Sequence, residues 1–182
     1  MTRGMVLIPG GGSGPHQPLL HYSWLAGRAR GAEALHIEWP ADRPSSRVPA
    51  DSASFVVEQV ARALDSIPVQ RPVLVGKSLA TYAAELAADR ALPAVWHTPL
   101  LTDARCVAAL RRATAPCLLV GGTADGWWDG ALARTLTPHV LEVPGADHGM
   151  VLPGLPLARS AAVLGEVASA VEEFLDRQAW PA

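Results

Sequence analysis

Short apolar runs recur along the chain, separated by stretches in which apolar residues return every three or four positions. The runs Val6 to Pro9, Ala34 to Trp39, Val73 to Val75, Ala94 to His97, Cys117 to Val120 and Val140 to Val143 predict strands. The helical period is clear from about Ser52 to Ile67, where Val56, Val60, Ala63, Leu64 and Ile67 share a face and Asp51 or Ser52 can cap. Further helices are predicted over Leu79 to Arg90, Asp103 to Arg112 and Leu157 to Arg177, the last with Val163, Val167, Val171, Phe174 and Leu175 inward. Strands that alternate with helices require a parallel sheet covered on both faces. The predicted fold class is α/β, a three-layer α/β/α sandwich around a mostly parallel sheet of about six strands.

Three connections are richer in Gly, Pro or Ser than ordinary turns: Pro9 to Pro18, Pro40 to Pro49 and Gly121 to Gly130. Loops that leave the carboxyl ends of parallel strands form the binding face of such a sheet. Two of the three follow strands directly, so the chemistry is expected along one edge.

Composition narrows the class. The 182 residues, 49% hydrophobic and 18% charged, read as one globular domain over 1–182, with no repeat or domain-scale linker. A net charge of −2 provides no basic footprint for nucleic acid or an anionic membrane. No apolar stretch approaches the roughly 20 residues of a membrane helix. The first apolar run is too short for a signal peptide and leads straight into a glycine loop, so a cytoplasmic location is expected. Cys106 and Cys117 are too few for a disulfide scaffold and read as reduced packing residues. Oligomeric state is left open.

The most informative stretch is Pro72-Val73-Leu74-Val75-Gly76-Lys77-Ser78-Leu79-Ala80, a short apolar run ending in Gly-x-Ser-x-Ala at the start of a helical pattern. A strand that turns this sharply into a helix holds the serine at the tip, and the bend demands small residues at Gly76 and Ala80. Lys77 occupies the variable elbow position and is expected to be partly exposed. Two nucleotide motifs are excluded. Gly76-Lys77-Ser78 ends like a P-loop but has Arg71 where the first glycine belongs, and the G-x-G-x-x-G frame in Gly10 to Gln17 fails at its last glycine.

An aspartate and a histidine follow the serine, each just past its own apolar run: Asp125 in Gly121-Gly122-Thr123-Ala124-Asp125, and His148 in Gly145-Ala146-Asp147-His148. A serine hydroxyl is a weak nucleophile until a base takes its proton, and an acid must orient that base. Ser78, Asp125 and His148 are therefore the candidate catalytic residues, with Asp129 a rival acid and Asp147 read as loop-forming. Backbone N–H groups of Leu79 and of Gly11 or Gly12 are the candidate oxyanion donors, because a glycine loop turns its amides inward without obstruction. Such chemistry calls for no cofactor and no metal.

These motifs resemble the α/β-hydrolase superfamily over nearly the whole chain, most closely its small lidless members, the dienelactone-hydrolase-like proteins and the retinoblastoma-binding serine hydrolases. Pro9-Gly10-Gly11-Gly12-Ser13-Gly14 matches their oxyanion loop, and Ser78, Asp125 and His148 match their nucleophile, acid and base. Ala80 departs from the usual second glycine. No cap is evident, since Trp96-His97-Thr98-Pro99-Leu100-Leu101 passes almost directly into the next helix.

Six tryptophans in a chain this short suggest an aromatic pocket wall. Trp127 or Trp128, next to the candidate acid, is expected to line it. His97 is a further candidate for substrate contact, with a hydrogen-bonded structural role as the alternative, and His16 for the loop. The expected activity is that of a carboxylesterase on small or accessible esters. A thioesterase, another acyl hydrolase, or a non-catalytic interaction protein on the same scaffold are the alternatives.

Overall fold

The computed structural model describes residues 2–12, 14, 16–44 and 49–181. Ser13, Pro15 and the segment 45–48, which fall in two of the expected loops, lie outside the described residues. Six strands, β1 (Gly4–Ile8), β2 (Glu33–His36), β3 (Val73–Lys77), β4 (Ala94–His97), β5 (Cys117–Gly122) and β6 (His139–Val143), form one sheet in the order β2-β1-β3-β4-β5-β6. Every pairing is parallel. The helices are α1 (Pro18–Ala29), α2 (Pro49–Ser66), α3 (Ala84–Asp89), α4 (Ala104–Arg112), α5 (Gly130–Leu136) and α6 (Leu157–Phe174).

Each side of the sheet has its own core layer, as a parallel sheet requires. On one side Met5, Leu7, Val73, Val75, Val95 and Leu118 meet Leu19 and Leu20 of α1 and Val163, Val167, Val171 and Phe174 of α6. On the other, Val6, Ile8, Leu74, Trp96 and Leu119 meet Val56, Val60 and Leu64 of α2, Leu86 of α3, Leu110 of α4 and Ala133 of α5. The alternation along each strand decides which layer a residue enters. The expected α/β/α sandwich is the observed fold.

Two helices were not expected. Helix α1 begins at Pro18, where the expected glycine loop ends, and fills a stretch for which no element was predicted, and α5 follows the Gly121–Gly130 connection. The buried face of α1 includes Ser23 and Gly27 beside its leucines, which blurs its apolar period. Gly27 is there because a Cβ would collide with Met5. Helix α5 has seven residues, with Ala133 its one buried side chain. The expected helix after Ser78 begins as a 3₁₀ segment, Ser78–Ala83, before α3.

The chain leaves β1 outward to β2 and then crosses back to β3 on the other side of β1. This change of direction opens a crevice above the carboxyl ends of β1 and β3. The glycine loop and Ser78 emerge there.

Candidate active site

Ser78 follows the last residue of β3 with φ +52°, the left-handed conformation that a non-glycine residue adopts at a cost. The turn reverses so tightly that a Cβ on Gly76 would stand 2.6 Å from Trp96 Cζ3 and 2.8 Å from the Ala80 methyl. Thr81 ties the turn down, donating from Oγ1 to Ser78 O at 2.6 Å and accepting from the Leu100 amide at 3.2 Å. Ser78 itself is half-buried.

Asp125 lies three residues past β5. Its carboxylate is almost wholly buried, with Oδ1 accepting the Trp127 amide at 2.9 Å. His148 follows β6 on a loop shaped by Asp147, whose Oδ1 accepts the amides of Gly149 at 2.8 Å and Val151 at 3.0 Å. The imidazole bridges the other two groups. His148 Nδ1 is 2.7 Å from Asp125 Oδ2, and Nε2 is 2.8 Å from Ser78 Oγ. With the carboxylate accepting at Nδ1–H, the Nε2 lone pair faces the serine hydroxyl, the arrangement in which the ring can take its proton. Its side chain remains 35% exposed, so the serine is reachable from solvent. Asp129 is committed elsewhere, capping α5 through the Leu132 amide at 2.9 Å.

The glycine loop lies against the residue after the serine. A Cβ on Gly11 would stand 3.5 Å from Leu79 Cδ2, whereas one on Gly12 would meet nothing within 4 Å. Trp39 Nε1 donates to the carbonyls of Pro9 at 3.2 Å and Gly10 at 3.1 Å, and the Arg43 guanidinium donates to Gly11 O. In a trans peptide the N–H points opposite to the C=O, so these bonds turn the amides of Gly10, Gly11 and Gly12 away from Trp39 and Arg43. The Leu79 amide, in the first turn of a helical segment, has no intrahelical acceptor. The sequence marks Trp39 only as a tryptophan at a strand end and Arg43 not at all, because nothing local links them to a loop some 30 residues earlier.

Of the two readings of His97, substrate contact and a hydrogen-bonded structural role, the structure has the second. The residue is fully buried, with Nε2 2.9 Å from Ser23 Oγ. Ser23 donates its hydroxyl proton to Leu19 O at 2.8 Å, so it accepts from His97 Nε2–H. This second Ser–His pair has the reverse polarity of the Ser78 pair and no access to solvent. Burial, with the charge of Lys77 adding to it, lowers the pKa of His97 to about 3 and keeps the ring neutral.

The two candidate tryptophans part company. The Trp128 ring fills the space above Gly121 and its indole N–H donates to Glu142 Oε2 at 2.7 Å, a packing role. Trp127 is 48% exposed beside Asp125. His16 is exposed and its ring centroid is 5.6 Å from that of His36, on the β2 side. Lys77, expected to be partly exposed, is only 7% exposed. Its Nζ donates to His148 O at 3.0 Å, a contact no local pattern could reveal.

Cys106 and Cys117 are free and buried. Burial raises both thiols, that of Cys117 to about 11, which disfavours the reactive thiolate. Among the described residues, no cluster of three His, Cys, Asp or Glu could hold a metal, and no helix is long and apolar enough to cross a membrane.

Comparison with solved structures places this architecture. Est1E from Butyrivibrio proteoclasticus, in a structure with ferulic acid bound, superposes with a TM-score of 0.70 over 98% of this chain and 89% of its own, at 14% identity. This chain has the α/β-hydrolase fold. The esterase Pf2001 of Pyrococcus furiosus is similar at a TM-score of 0.65 and 13% identity, covering 97% of this chain and 83% of its own. The mouse alpha/beta hydrolase domain-containing protein 10 gives 0.66 and 13%, covering 96% and 90%. No family model and no curated protein matches the sequence. At these identities the likeness extends to the α/β-hydrolase fold alone. Within that fold, Ser78, Asp125 and His148 occupy the carboxyl ends of β3, β5 and β6.

Proposed function

We propose that the protein is a serine hydrolase of carboxylic esters that works through an acyl-serine intermediate. The observation that carries this is the continuous hydrogen-bonded path from Ser78 Oγ through His148 to Asp125, with 2.8 and 2.7 Å steps, built on a serine held at φ +52°. Strain at a sharp strand-to-helix turn serves to present a hydroxyl. The name of one solved neighbour, the Pyrococcus furiosus esterase, agrees with this reading.

In this mechanism Ser78 Oγ attacks the acyl carbon while His148 Nε2 takes its proton. Asp125 holds the imidazole tautomer and stabilises the imidazolium. The amides of Leu79 and of Gly11 or Gly12 receive the negative oxygen of the tetrahedral intermediate. Collapse expels the alcohol, which receives its proton from His148. Water, activated by the same imidazole, then releases the acid and restores the serine. The connections at this edge are short: residues 98–103 join β4 to α4 and 123–129 join β5 to α5, with no helix inserted in either. The substrate is therefore a small or accessible ester, and a thioester would use the same groups.

A fluorophosphonate probe with mass-spectrometric site mapping tests this. Ser78 should be labelled in the native protein, and Ser78→Ala should abolish labelling and lower ester turnover by on the order of 10⁶. Labelling that persists in Ser78→Ala would reject the assignment. Turnover of a paired ester and thioester panel decides between those substrates.

A further inference from the structure

Lys77 is a cation in an apolar layer. As the last residue of β3 it alternates onto the same face as Val73 and Val75, toward the core beneath α1 and α6. Taking an ammonium out of water costs several kcal/mol unless it is well paired. Among the described residues Lys77 has no carboxylate within ion-pair distance. Its hydrogen bond goes to the main-chain carbonyl of His148, 71 residues later in the chain. The fold thus accepts the cost of a buried charge to make one contact, and that contact is to the candidate base.

That contact closes a ring. Lys77 is bonded directly to Ser78, its Nζ holds the carbonyl of His148, and the imidazole of His148 returns to Ser78 Oγ at 2.8 Å. β3 and β6 are separated by β4 and β5, so the base must be held across two strands. Asp147 organises the His148 loop from within, and the Ala124 amide ties Ala146 to the β5 side. Among the described residues, Lys77 makes the one bond from the elbow to the main chain of His148.

We propose that Lys77 is a positioning residue of the site: its ammonium fixes the main chain of His148 over Ser78. The inference rests on the serine-hydrolase reading. The charged and titratable groups facing Lys77 are Asp125 from the β5 edge, Asp147 and His148 from the loop after β6, and His97, its register partner on β4. The two carboxylates favour the ammonium, while burial, the larger effect, holds the lysine below its ordinary range.

The experiment compares Lys77→Met, close in length but uncharged, with Lys77→Arg and Lys77→Gln. For each, kcat and KM on a soluble nitrophenyl ester, the rate of fluorophosphonate labelling and the Tm are measured. Lys77→Met should hold or raise Tm, because a desolvated charge is removed, yet lower kcat by about 10- to 100-fold with KM nearly unchanged. Labelling should slow in parallel. Lys77→Arg should recover part of the rate. Lys77→Gln keeps an N–H donor and should retain more of kcat than Met, though less than native.

Unchanged kcat in Lys77→Met would overturn the inference. So would a fall in kcat matched by a fall in Tm and not recovered in Lys77→Arg, which marks a purely structural residue. If Lys77→Met does not fold, native kcat and native labelling in Lys77→Gln overturn it equally. Failure of the native protein to label at Ser78 rejects the serine-hydrolase reading itself. A labelled native protein with indifferent Lys77 variants rejects only the role of Lys77.

Discussion

The indole of Trp96 occupies the space that a side chain at position 76 would need: a Cβ on Gly76 would come within 2.6 Å of its Cζ3. Trp96 is 1% exposed and pinned between the sheet and the α2–α4 layer, so it cannot retreat. The nucleophile turn is thus shaped from the neighbouring strand as well as by its own residues.

Gly76→Ala should therefore be costly although alanine is small. Overpacking of this kind costs about 1–3 kcal/mol, and relief by movement of the turn would displace Ser78. Thermal unfolding and probe labelling should both report it. A variant that keeps native Tm and native labelling would show that the turn has more room than the structure gives it.

Asp125→Asn should preserve folding and lower turnover by roughly 10⁴, because the amide favours the wrong imidazole tautomer. Asp129→Ala should do the reverse. It removes the cap of α5, at a cost of about 1 kcal/mol in stability, and leaves turnover near native. Kinetics and denaturant melts of the pair decide which aspartate serves the histidine.

His97 makes stability depend on pH. Its folded pKa of about 3 lies below the ordinary histidine value, so the unfolded chain binds the extra proton first. Its contribution is fully present above about pH 6.5 and is lost as pH falls from there through about 3, by a few kcal/mol in all. His97→Gln keeps a donor for Ser23 but cannot titrate, so its stability should decline less over that window. Urea titrations of both proteins from pH 7 to 4 check this, and parallel curves would remove His97 as the source.

Trp127 and Trp128 should separate in opposite ways. Trp127→Ala should leave Tm within about 0.5 kcal/mol equivalent and raise KM for bulky aromatic acyl esters more than for acetyl esters. Trp128→Ala should lower stability by about 3 kcal/mol, since its ring covers Gly121 and its N–H is bonded to Glu142. Equal kinetic effects on both acyl classes in Trp127→Ala would remove it from the pocket.

The fold was legible where local pattern and tertiary demand coincide. The four inner strands β1, β3, β4 and β5 lie where short apolar runs predicted them, because a strand buried on both faces has to be apolar at nearly every position, and the half-buried edge strands β2 and β6 overlap their predicted runs. Helices α2, α4 and α6 followed from their period, whereas the Asp103 cap of α4 was not foreseen and α2 begins at Pro49, ahead of its expected caps Asp51 and Ser52. Helix α1 escaped because its inward face is completed by Ser23 and Gly27, chosen for His97 and Met5 rather than for hydrophobicity.

By itself the sequence determined the alternating architecture, the sharp turn at Ser78 and the three residue types that could act together, since each depends on neighbours along the chain. Only the tertiary structure decided which groups meet. It brought His148 between Ser78 and Asp125, gave Asp129 to a helix end, sealed His97 against Ser23, turned Trp128 onto Gly121 and buried Lys77 beneath His148. Those outcomes depend on strand order and on which face each side chain leaves from, and sheet order joins residues far apart in sequence that no local periodicity encodes.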